Sequence, residues 1–66
     1  MTNAGRCVRK AQELKKITSA NLARLSGVKP QQVMRWRKQE NMKLHTMQQL
    51  CIIFEMGLDE FSALDK

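Results

Sequence analysis

Sixty-six residues of 42% hydrophobic content suffice for one domain on a single small core and are too apolar for a disordered chain. No apolar run approaches the roughly 20 residues that span a membrane, and no signal-peptide core is seen. Twelve lysines and arginines against six acids leave a net charge of +6, which suits a polyanionic partner.

Leu, Met, Ala, Lys, Gln and Arg dominate, Tyr is absent, and Phe and Trp are few, so an all-α fold is expected. Residues 4 to 15 are predicted to form the first helix, with Thr2 or Asn3 as its cap. Val8, Ala11 and Leu14 recur at three-residue intervals as a narrow apolar stripe, which Cys7 can join. Arg6, Arg9, Lys10, Lys15 and Lys16 cover the rest, and Glu13 alone offsets them.

The stretch from 17 to 38, ITSANLARLSGVKPQQVMRWRK, organises the chain. Thr18 can cap a second helix over residues 19 to 26, in which Leu22, Ala23 and Leu25 set a short apolar pattern. Gly27 falls where that helix must stop, since only glycine enters the left-handed region without steric cost. Pro30 opens a third helix, about 30 to 39, at a position where its missing N–H breaks no hydrogen bond. Two short helices joined by a glycine-containing turn make a helix-turn-helix. With Val33 inward, a turn of about 100° per residue places Trp36 and Arg37 toward the same side. Gln31, Arg35 and Lys38 then face outward, flanked by Gln32 and Gln39.

Leu22-Ala23, Gly27-Val28, Val33 and Trp36 stand in the spacing of the phage repressor and Cro-like helix-turn-helix domains, which the chain resembles from about Val8 to Leu64. The resemblance implies a compact four-to-five-helix, lambda-repressor-like domain whose second motif helix enters the major groove of double-stranded DNA. Gln31, Gln32 and Arg35 are then the candidates for base edges, because glutamine can pair with adenine and arginine with guanine through two bonds. Ser19, Asn21, Lys29, Lys38, Asn41 and Lys43 are the candidates for the DNA backbone. Two departures stand out. Ser19 replaces the glutamine usual in the family at the start of the second helix. Arg37 replaces a glutamate usually paired with a first-helix arginine, whose position is held here by Gln12. That salt bridge cannot form, so Arg37 needs Glu13, Glu40, a backbone carbonyl or a DNA phosphate instead.

Residues 39 to 43 read as a loop and about 44 to 55 as a fourth helix without a good cap. Leu44, Met47, Leu50, Cys51 and Phe54 follow the three-four rhythm of a core face. Gly57 leads into a fifth helix with Asp59 and Glu60 in its first turn, where the helix dipole favours acids. The family usually has glycine at the position of Glu55, which implies a rearranged turn. Met56, Leu58, Phe61 and Leu64 serve either the core or a dimer contact. Charge is uneven: Lys29, Arg35, Arg37, Lys38 and Lys43 face only Glu40, whereas Glu55, Asp59, Glu60 and Asp65 outnumber Lys66 at the end.

Three function classes follow. The favoured one is a sequence-specific transcription regulator of Cro or repressor type, a monomer or weak homodimer that pairs on a near-palindromic operator. The alternative is the DNA-binding antitoxin of a toxin–antitoxin pair. An enzyme is the third, and the residues oppose it: His45 is the one histidine, carboxylates are not clustered, and no glycine loop cradles a phosphate. No motif calls for a cofactor, a metal or a small-molecule ligand. Cys7 and Cys51 stand far apart, neither in a metal-type pair, as in reduced thiols of a cytoplasmic protein.

Overall fold

Residues 3–65 are described by a computed structural model, in which five helices follow one another with no strand between them. The first, α1 (Ala4–Lys15), begins where Asn3 Oδ1 accepts the Arg6 N–H at 3.0 Å, so Asn3 is the cap. Thr2, the other expected cap, lies outside the described residues. Lys16 ends the helix in the left-handed region, at φ 56°. Thr18 Oγ1 accepts the Asn21 N–H at 3.1 Å to start α2 (Ser19–Ser26), and Gly27 at φ 72° ends it. Pro30 opens α3 (Pro30–Lys38), which stops one residue before the expected limit because Gln39 is already extended. Two more, α4 (Leu44–Phe54) and α5 (Leu58–Ala63), complete the chain. The Glu60 carboxylate accepts the Gly57 N–H at 3.4 Å at the start of α5.

All five helices turn apolar side chains to one core. Cys7, Val8 and Ala11 come from α1, Leu22 and Ala23 from α2, Val33 and Trp36 from α3. Leu50, Cys51 and Phe54 come from α4, and Phe61 from α5. The rings of Phe54 and Phe61 lie 6.4 Å apart and nearly parallel.

Four expectations are corrected. Leu14 is 63% exposed and does not extend the α1 stripe. Steps of three residues turn only about 300° each, so the pattern drifts off the buried face, and Gln12, four residues after Val8, takes the inward place. Leu44, 57% exposed, opens α4 beyond its packed face, whereas Met47 is half-buried against the core. Phe61 is fully buried and offers no dimer contact, while Met56 and Leu58 are half-buried against the same core. The turn after α4 is not rearranged: Glu55 itself takes the left-handed conformation at φ 56° and donates its N–H to the Ile52 carbonyl at 3.1 Å. The strain of that conformation in a residue with a Cβ is roughly 1–2 kcal/mol.

One seam positions the third helix. The first amides of α1 have no intrahelical partner. Here Ala4 N–H donates to the Glu40 carbonyl at 2.9 Å and Gly5 N–H to that of Gln39 at 2.7 Å. A Cβ on Gly5 would lie 2.6 Å from the carbonyl oxygens of both Arg37 and Gln39, so no larger residue fits. Asp65 closes the other side, accepting the Asn3 N–H at 2.9 Å with Arg6 Nε 4.0 Å from its carboxylate.

Gly5→Ala is expected to cost at least about 1–3 kcal/mol, because backbone must move, read as a lower denaturant midpoint. Glu55→Gly removes the left-handed strain and adds the smaller entropy cost of glycine, for a gain of roughly 0.5–1 kcal/mol in the same measurement.

Candidate nucleic-acid interface

Val33 and Trp36 hold α3 to the core, and the helix period turns its remaining side chains out. Gln31, Arg35 and Lys38 are exposed, and Gln32 is half-buried. Lys29, Gln31, Gln32 and Arg35 share a shallow depression of about 290 Å³ with Val28. Gln32 also borders a second depression of about 390 Å³, with Asn41 and Lys43 on its far side. The three candidate base readers therefore lie together, with Lys29 at one side and Asn41 and Lys43 at the other. Asn21 and Lys38 are exposed, on α2 and α3. The Asn21 backbone N–H is already taken by the Thr18 cap.

Ser19 sits elsewhere, in an open groove of about 940 Å³ that Arg6, Arg9, Lys10, Lys16 and Arg37 also line. Its Oγ accepts from Gln12 Nε2 at 3.3 Å and from Arg37 Nη1 at 3.2 Å. Two accepted bonds use the oxygen's lone pairs and leave the hydroxyl hydrogen to be donated away from both partners. Gln12 Nε2 donates as well to the Ile17 carbonyl at 3.2 Å, while Gln12 Oε1 is buried without a partner. Arg37 thus finds an acceptor that was not among the four expected, and it pairs with no carboxylate among the described residues. Half-buried and uncompensated, its guanidinium adds positive potential where α2 begins.

Three features escaped the sequence reading. Gly5 was missed because its demand comes from the distant carbonyls of Arg37 and Gln39. Gln12 was matched to a family position but its burial was not seen. Met34 was passed over, although its place three residues after Gln31 could have marked it; it is exposed on α3.

Among the described residues no group of three or more His, Cys, Asp and Glu could hold a metal ion. No described helix is long and apolar enough to cross a membrane. Burial pushes both thiols up, and the nearby negative Asp65 adds to the rise at Cys7.

A capped helix, a glycine turn and a proline-opened helix with an outward polar face define a helix-turn-helix DNA-binding domain. A family profile for the Cro/C1-type HTH DNA-binding domain matches residues 8–66, and the chain belongs to that family. It is a family of DNA-binding transcription regulators, and duplex DNA is the partner that follows for this chain. No curated protein and no solved structure matches the chain.

Raised pKa values mean less thiolate at any given pH, so Cys7 and Cys51 should be sluggish nucleophiles in the folded domain. Both thiols are also buried, so at pH 8 a thiol-reactive dye should label the native protein more slowly than the denatured chain. Equal rates would show that these side chains are not enclosed.

Proposed function

We propose that the protein is a sequence-specific regulator of Cro or repressor type, of phage or prophage kind, that blocks transcription by seating α3 in the major groove of a near-palindromic operator. The observation that carries this reading is the grouping of Gln31, Gln32 and Arg35 on the face of α3 turned from the core, with Lys29 in the same depression. An α-helix about 10–12 Å across with its side chains fits a groove about 12 Å wide, and the nine residues of α3 at 1.5 Å each run about 13.5 Å. Gln31, Gln32 and Arg35 meet base edges. Ser19, Asn21, Lys29, Lys38, Asn41 and Lys43 meet phosphates, and these contacts hold the register without reading sequence. Ser19 suits that role through its outward hydroxyl, and Arg37, tied to the same oxygen, places a cation beside the phosphate.

A near-palindrome requires two copies about 34 Å apart, one turn of duplex. With Phe61 in the core, Met56, Leu58 and Leu64 are what remains of the expected contact, and three half-buried side chains make a small one. The protein is a monomer or weak homodimer that pairs on DNA in the cytoplasm.

Binding should weaken steeply with salt as neutralised phosphates release counterions, and a low-salt titration retaining no duplex DNA would end the reading. Arg35→Ala should cost roughly 1–3 kcal/mol on the operator and relax one base pair. Lys43→Ala should weaken operator and random DNA alike and lower the salt slope by about one. If a folded Arg35→Ala variant lost affinity for random DNA as much as for the operator, Arg35 would be a phosphate contact. Analytical ultracentrifugation should show no tight dimer at nanomolar concentration.

A further inference from the structure

Met34 is the one large apolar side chain exposed on α3, with 46% of its surface open to solvent. The helix period puts it about 60° from Gln31 and about 100° from Arg35, on the flank away from Gln32. Along α3 it stands between those two residues, one turn after Gln31 and next to Arg35. It lies outside the core cluster, to which α3 contributes Val33 and Trp36. Exposed large apolar residues elsewhere, Leu14, Leu25, Leu44 and Ile52, lie on other helices.

Among the base edges in the major groove, only that of thymine presents an apolar methyl group, at C5. An unbranched thioether side chain with three rotatable bonds can follow such a methyl across a range of positions. We propose that Met34 is a specificity-determining residue that covers the C5-methyl of a thymine, within two base pairs of the pairs read by Gln31 and Arg35. The inference rests on the reading that α3 occupies the major groove. It adds a contact that reads by apolar cover where its neighbours read by hydrogen bonds. A thymine there is distinguished from cytosine by its methyl even where no donor or acceptor is engaged.

The test begins with binding sites selected by the wild-type protein from a random duplex pool. They should carry a thymine, on either strand, at one fixed position beside the pair that depends on Arg35. Duplexes are then synthesised with uracil in place of that thymine, which deletes the methyl and leaves the base pairing unchanged. Covering one methyl should be worth about a fourfold change in Kd. Wild type should lose about that factor on the uracil duplex, Met34→Leu should lose a similar factor, and Met34→Ala should not discriminate the two duplexes. Met34 is half exposed and outside the core cluster, so both variants should keep a melting temperature close to that of the wild type. No thymine preference, or an equal uracil penalty for wild type and Met34→Ala, overturns the proposal while the DNA-binding reading stands. Failure of the wild-type protein to enrich any sequence while still binding duplex DNA overturns both this proposal and sequence-specific readout. Failure to bind any duplex removes DNA binding itself.

Discussion

Two hydrogen bonds between the start of α1 and the end of α3 set the frame on which the outward face of α3 depends. Ala4 and Gly5 donate to the carbonyls of Glu40 and Gln39, so the unpaired amides of one helix are satisfied by the chain leaving another. Gly5 permits the approach, since any Cβ would strike the carbonyls of Arg37 and Gln39. Asp65 then bonds the Asn3 amide and places its carboxylate near Arg6. The N-terminus of α1 is thus held between the exit of α3 and the end of the chain. The orientation of α3 follows from that seam together with the burial of Val33 and Trp36.

Electrostatics at the start of α2 differ from the acid–base pair usual in the family. Gln12 and Arg37 converge on one serine oxygen, and the network they form is neutral except for the guanidinium. A salt bridge in that place would cancel its own charge. Here the positive charge remains uncancelled and borders the groove that Arg6, Arg9, Lys10 and Lys16 also line. Such an arrangement contributes less to the free fold, because one buried oxygen of Gln12 is left without a partner. It contributes more to attraction for a polyanion, in line with the net charge of +6.

The face of α3 that packs the core and the face proposed to read DNA are opposite sides of one short helix. Val33 and Trp36 face the core, while Gln31, Met34 and Arg35 face solvent. A substitution on the outer face changes what is presented to a duplex with little effect on the core, whereas loss of Trp36 removes packing worth about 3–5 kcal/mol. For a domain of this size that is a large part of the total stability.

The amino-acid sequence by itself determined the five helices and the turn between α2 and α3, because caps and breakers act over a few residues. Thr18, Gly27 and Pro30 do their work within one helical turn, so their positions could be read directly, whereas Asn3 was one of two candidate caps. The outward place of Gln31 and Arg35 was legible for the same reason, once Val33 was set inward. Tertiary structure alone decided what lies in the remaining places. Leu14 and Leu44 looked apolar enough for the core and are outside it, since burial depends on whether another helix passes over them. Gly5 is packed against the carbonyls of Arg37 and Gln39, Arg37 found its acceptor on a helix 18 residues away in sequence, and Glu55 took a glycine's conformation. The outcomes at Leu14, Leu44, Gly5 and Arg37 are set by groups distant in the chain, whose approach is settled only when all five helices share one core.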